Sequence, residues 1–186
     1  MEKLKQLWRG FEEKNPKASQ WVREGGLFFL VSNAITIIRG LLISLLQNAF
    51  TGLGNAAIGF PNITLTLFGI SFPWYIIGAS EEQGGVSYFV AFLISLWLCE
   101  IINFFLQRKF VFRSNGNMGR QFVLYFLAFL LVTCVVNSIN SIWVGLAIHF
   151  LPPLIYNLVT TFLTGGVAMV VFFFANRFIF KESEKK

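Results

Sequence analysis

The stretch "NFFLQRKFVF", Asn103 to Phe112, sets two amides and two cations among four phenylalanines, and it closes the apolar run Val86 to Leu106. A close echo, "VFFFANRFIF", spans Val171 to Phe180 and closes a second run, Leu154 to Ala175. An apolar run that ends in cations and aromatic rings reads as a helix leaving a membrane, with the rings held at headgroup level. Asn103 and Gln107 fall outside that reading, because a buried amide costs free energy unless it is hydrogen-bonded. The stretch is therefore both an anchor and a buried polar face.

The composition fits this reading. Of the 186 residues, 55% are hydrophobic, 13% are charged and 23 are Phe, which places the chain in the membrane class. Two further windows, Leu27 to Leu46 and Phe122 to about Ile142, bring the apolar runs to four. Each is close to the roughly 20 helical residues that cross a hydrocarbon core of about 30 Å. The runs are continuous rather than alternating, which favours helices over barrel strands. The expected fold is an all-α membrane bundle of four transmembrane helices in a single domain, residues 25–180. A cytoplasmic segment, 1–24, precedes it and a tail, 181–186, follows. No soluble catalytic module, nucleophile–base pair or metal cluster is visible, so neither an enzyme nor a cofactor is expected.

Charge sets the expected orientation. Six cations precede helix one, four (Arg108, Lys109, Arg113, Arg120) separate helices two and three, and four follow helix four. The fifteenth, Arg39, lies inside helix one, and the other two connections carry none. The positive-inside rule then puts both termini in the cytoplasm. The net charge of +6 reflects this topology rather than a nucleic-acid surface. Cys99 and Cys134 lie in apolar spans with no spacing partner, and His149 sits near the far end of helix three. The N-terminal segment shows no cleavable signal pattern. Leu4, Leu7, Trp8 and Phe11 instead follow helical spacing opposite basic residues, as in a helix lying in the interface.

Helices one and two are joined by a long arm, residues 47–85, that contains "ITLTLFGISFPWYIIGA" from Ile63 to Ala79. A span here would move Arg108, Lys109, Arg113 and Arg120 outside, against the charge rule. The run is also interrupted by Gly69 and Pro73, so a re-entrant or interfacial element with both ends outside is expected.

Superposed at a separation of 68 residues, the two chain stretches pair Phe104 with Phe172, Phe105 with Phe173, Phe110 with Phe178 and Phe112 with Phe180. Each half is then a hairpin beginning and ending in the cytoplasm, and two such parallel repeats imply a pseudo-twofold axis along the membrane normal. At these residues the sequence resembles the GtrA-like proteins, small four-helix membrane proteins of bacterial surface-polysaccharide pathways. Their Asn-Phe-x-x-Asn-Arg-x-x-x-Phe segment is matched by Asn103, Phe104, Gln107, Arg108 and Phe112, with Gln in place of the usual Asn. Asn176, Arg177 and Phe180 match the weaker second copy, with one residue fewer before the last Phe. "FFLVSNAIT" from Phe28 and "RQFVLYF" from Arg120 extend the resemblance to about residues 26–180, outside the arm. Arg39, where the family often has an acidic residue, and the long arm depart from it. The resemblance implies flipping of a polyprenyl-phosphate-linked sugar, or a related lipid phosphate, for surface glycan synthesis.

Two ionisable residues lie within spans, where a charge costs at least about 2.5 kcal/mol on insertion scales. Arg39 is ~18 Å into helix one and Glu100 ~12 Å from the exit of helix two, and their side chains lean toward one another. An ion pair follows that either fixes the two helices together or offers the Arg39 guanidinium to a lipid phosphate. Polar residues recur at helical spacing on each span: Ser32 and Thr36; Asn103 and Gln107; Thr133, Asn137 and Asn140; Asn157, Thr161 and Thr164. Such residues serve as interhelical glue or, jointly, as a head-group track. The candidate substrate-binding residues are Arg39, Glu100, Asn103, Gln107, Arg108, Asn137, Asn140, Asn176 and Arg177.

Two competing functions share these features: a proton-coupled exporter of hydrophobic cations acting through Glu100, and a non-transporting scaffold for a membrane glycosyltransferase. The expected partners are membrane lipids, the lipid phosphate, such a glycosyltransferase and, because so small a bundle encloses little volume, a second copy forming a homodimer.

Overall fold

The computed structural model describes residues 2–79, 81, 84–147, 149–152, 155, 159 and 162–181. Pro16 lacks a backbone donor, so it can start a helix but not continue one. It divides the N-terminal region into α1 (Glu2–Lys14) and α2 (Pro16–Ala49). The second part of segment 1–24 forms the first turns of α2, which runs for 34 residues, or ~51 Å. Further helices among the described residues are α3 (Gly85–Leu106), α4 (Met118–Ala147) and α5 (Ala168–Lys181), the last entered through a wide turn at Phe162–Val167.

Among the described residues, three helices, α2, α3 with its extension to Val111, and α4, are long and apolar enough to cross a membrane, and Gly165–Phe180 forms a shorter apolar helix. Much of the expected fourth window, with Asn157 and Thr161 and the Thr164 side chain, lies outside the described residues. The helices expose Phe29, Leu30, Leu41 and Leu45 on α2, Val123, Leu127 and Leu131 on α4, and Val170, Phe174 and Phe178 on α5. Apolar surface this continuous suits lipid rather than water. The interior is aromatic instead: Phe104, Tyr125, Phe126, Phe129 and Phe180 form one cluster with Leu96 and Ile179. Within it the Phe104 ring meets those of Tyr125 and Phe180 at 5.4 and 5.8 Å.

The arm carries strands where the apolar run stands, so the fold is mostly helical rather than all-α. The strands form a bent antiparallel ribbon. β1 (Ile58–Phe60) pairs with β4 (Ile77–Ala79), and β2 (Ile63–Leu67) with β3 (Ile70–Trp74) nested inside. The ladder breaks where Pro61 has no donor to offer. Leu67 pairs directly with Ile70, so Phe68 and Gly69 form a two-residue turn, with φ of 52° and 79°. Positive φ at both positions matches the right-handed twist of a hairpin. The ribbon lies on the end of α4: Trp74 Nε1 donates to Ser138 Oγ at 3.2 Å, and the Tyr75 amide to Ser141 Oγ at 3.2 Å. Phe72 packs so closely on Gly145 that a Cβ there would stand 2.2 Å from its ring. The start of α3 is fastened to the same arm, since the amides of Val86 and Ser87 donate to the carbonyls of Ala56 and Gly54 at 3.1 Å. These bonds satisfy donors that a helix start leaves free.

At the opposite end of the bundle the two motif copies meet. Asn176 Nδ2 donates to Gln107 Oε1 at 2.8 Å, and the Phe112 and Phe180 rings stack at 5.2 Å. The contacts around them are reciprocal. Arg108, ending α3, donates to Gln121 at the start of α4; Arg177, in α5, pairs with Glu24 at the start of the apolar part of α2. Phe104 meets Tyr125 at 5.4 Å and 64°, while Phe173 meets Phe28 at 5.4 Å and 66°. The equivalent pairs Phe104/Phe173, Gln107/Asn176 and Arg108/Arg177 are 69 residues apart, whereas Phe112/Phe180 are 68 apart. The missing residue is accounted for by a π-helical turn at Gln107–Val111, where the Phe112 amide reaches back five residues to the Gln107 carbonyl at 2.9 Å. A π-turn absorbs one extra residue without breaking a helix.

Candidate functional site

Side chains three and four apart share a helix face, so Glu100, Asn103 and Gln107 line one side of α3. All three are buried. Arg39 comes from α2, Tyr125 from α4 and Asn176 from α5, and hydrogen bonds join them in one chain. Arg39 Nη2 is ion-paired to Glu100 Oε1. Glu100 Oε2 accepts from the Tyr125 hydroxyl at 2.7 Å and from Asn103 Nδ2 at 3.3 Å. Asn103 Nδ2 also donates to the Tyr125 oxygen at 3.0 Å, and Asn103 Oδ1 accepts from Gln107 Nε2 at 2.9 Å. The chain ends at Asn176, which donates to Gln107.

The Glu100 carboxylate is satisfied by a cation, a phenol and an amide, as a buried charge requires. The cation is less completely held. Arg39 Nε is buried without a partner, and so is the Asn176 Oδ1 at the far end of the chain. Both residues line a cavity of about 270 Å³, together with Ser32, Thr36, Glu100, Asn103 and Gln107. The opposite wall includes Ala168, Met169 and Phe172. The site is therefore amphipathic: a guanidinium and amides face an apolar wall. Its volume lies just below the range of about 300–1,000 Å³ usual for whole small-molecule sites, so it suits one small charged group rather than an entire glycolipid.

Divergence between the repeats builds this asymmetry. At the spacing of 69, Glu100 and Asn103 correspond to Met169 and Phe172; at the spacing of 97 that relates Glu24 to Gln121, Arg39 corresponds to Val136. The ends of the two halves stay alike while only the first half places charged groups midway along its helices.

The other expected site residues lie elsewhere. Arg108 is outside the cavity: its Nε donates to Gln121 Oε1 at 3.0 Å and its Nη2 to the Gly116 carbonyl at 2.9 Å, which braces the α3–α4 loop. Arg177 is 5% exposed, ion-paired to Glu24, and its guanidinium carbon lies 3.5 Å from the Trp21 ring centroid. Its role in the structure is to join α5 to α2. Asn137 and Asn140 line a separate cavity beneath the arm. Glu24 and Tyr125 were not singled out in the sequence. Glu24 sits in a charged segment that reads as solvated, yet it is 3% exposed, with Gln20 Nε2 donating to it at 2.6 Å. Tyr125 is one of many aromatics, and only its position one residue beyond a helical turn from Gln121 marks its face.

Comparison with known proteins adds one match. The family model for the GtrA/DPMS transmembrane domain covers residues 49–180, from the end of α2 through α5, so it includes the arm and leaves most of α2 outside. No curated protein matches the chain, and no solved structure does. Since the matched region takes in the polar face of α3, both motif copies and well over half of the chain, the protein belongs to the GtrA/DPMS transmembrane-domain family.

Proposed function

We infer that the protein carries a polyprenyl-phosphate-linked sugar, or a related lipid phosphate, across the inner membrane for cell-surface glycan synthesis. In this reading it makes and breaks no covalent bond. The chain spans four times as two parallel hairpins, with both termini and the ends of α3 and α5 in the cytoplasm and the ribbon outside. The charge distribution supports that orientation, since the α3–α4 loop carries Arg108, Lys109, Arg113 and Arg120 while residues 40–80 carry no charge.

One observation carries the reading: a lipid-depth arginine lines an amphipathic cavity with one arm on Glu100 and its buried Nε unpartnered. A planar guanidinium matches phosphate geometry, and the apolar wall suits the adjoining isoprenoid tail. Glu100 holds Arg39 in place when no phosphate is present. Purified protein in liposomes is expected to accelerate transbilayer movement of a polyprenyl-phosphate hexose, and Arg39→Gln to slow it about tenfold or more. Movement no faster than in empty vesicles sinks the reading.

The cation-exporter alternative needs Glu100 free to attract a cation, and its ion pair with Arg39 opposes that. The glycosyltransferase-scaffold alternative predicts that Arg39→Gln leaves glycan synthesis intact in cells. A glycosyltransferase supplying the lipid-linked sugar, and a second copy of the chain widening the path, remain partners of the transport reading. Crosslinking in native membranes that yields monomer alone opposes the dimer.

A further inference from the structure

The ribbon and the end of α4 enclose a second cavity of about 530 Å³, within the range of about 300–1,000 Å³ typical of small-molecule sites. One wall is fixed by the bonds from Trp74 and Tyr75 to Ser138 and Ser141 and by Phe72 against Gly145, so the space is built into the fold. Its lining includes the amides Asn137 and Asn140 and the phenols Tyr75 and Tyr88, with Pro73 and Ile77 between them. Among the described residues, none that lines it is acidic or basic. Asn140, one of the lining residues, has its Oδ1 buried with no hydrogen-bond partner. A buried polar atom of this kind asks for a donor.

These properties exclude two occupants by their cost. A phosphate would be desolvated with no cation to meet it, and an alkyl chain would leave the Asn140 oxygen unpaired. An uncharged ring with hydroxyl edges and C–H faces meets both demands, donating to the amides and lying against the aromatic rings. We propose that the cavity beneath the ribbon binds the neutral sugar of a glycolipid, at a subsite distinct from the Arg39 cavity that takes a phosphate. The assignment rests on the lipid-linked-sugar reading for its place in transport, as the station that receives the sugar on the ribbon side. Binding itself needs no transport.

The test is saturation-transfer NMR on the full-length protein in detergent, using methyl α-D-glucopyranoside, methyl α-D-mannopyranoside and methyl N-acetyl-α-D-glucosaminide as probes. At least one is expected to receive saturation, to be undisturbed by millimolar inorganic phosphate, and to bind about fivefold more weakly to Asn140→Leu, the loss of one hydrogen bond. Asn140→Leu removes an unpaired oxygen, so its thermal midpoint is expected to match or exceed that of the parent, which separates lost binding from lost fold. Asn137→Leu, on the same face, is the second variant and is expected to weaken binding as well. Silence from all three glycosides, displacement by phosphate, or equal binding by both variants overturns the proposal. Sugar binding in detergent with no flipping in liposomes overturns transport alone. Flipping with no sugar binding overturns the subsite alone.

Discussion

At the scale of single residues, the molecule shows how little a side chain's type says without its partner. Arg39, Arg108 and Arg177 are alike in sequence, yet one faces a cavity, one braces a loop and one closes a buried pair. The sequence predicts the Arg39–Glu100 pair because both charges lie in apolar runs at matched depth. It hides Arg177–Glu24, because Glu24 is surrounded by the ordinary charges of a cytoplasmic segment and its partner is 153 residues away. Removing one member of a buried pair strands the other, at a cost of about 3–5 kcal/mol. Glu24→Ala and Arg177→Ala should therefore each lower stability in detergent by about that amount, and the double substitution by clearly less than the two together. Denaturant unfolding of the four proteins measures it; additive losses would mean that the pair is not coupled. Asn140 and Glu100 were likewise legible as polar residues in lipid, but not which would be satisfied.

At the scale of elements, helices were read from the sequence far better than strands. Long apolar runs specify helices in lipid, whatever their neighbours, because each helix satisfies its own backbone. The arm obeys another rule: "ITLTL" alternates apolar with polar residues, and its turn is the pair Phe68–Gly69. Set against the helical runs its alternation passed as one apolar stretch, and its pairing depends on residues up to 21 positions apart. The turn gives a direct check. Phe68 is 90% exposed at a φ of 52°, which costs a non-glycine residue roughly 1–2 kcal/mol. Phe68→Asn creates the favoured Asn–Gly turn and is expected to slow proteolysis within the ribbon while leaving the helices unchanged. Faster cleavage would show that the Phe68 ring holds the hairpin. Gly145→Leu is expected to do the reverse, driving Phe72 off α4 and exposing Trp74 to a fluorescence quencher.

At the scale of the whole molecule, the internal repeat was legible as matching phenylalanines, but its true register was not. A gapless comparison cannot see the residue absorbed by a π-turn, and this turn shifts the spacing from 69 to 68 within a few positions. Nor does sequence similarity tell which half has kept its polar groups for a ligand. The orientation has its own measurement. With Cys99 and Cys134 replaced by Ser, Phe68→Cys is expected to react with a membrane-impermeant maleimide added outside cells, and Gly116→Cys only after permeabilisation. The reverse pattern would invert the topology and with it the direction of transport.

The reciprocal arginine contacts also bear on how the chain is made. Gln121 lies 13 residues from Arg108 and finds it as soon as the α3–α4 loop forms. Glu24 precedes Arg177 by 153 residues, so the carboxylate on α2 meets its cation only after α5 has been made. The Glu24–Arg177 pair is thus a joint made late in assembly. A nascent chain cut short before α5 would leave that carboxylate without its cation, a ready mark that tells an unfinished protein from a finished one.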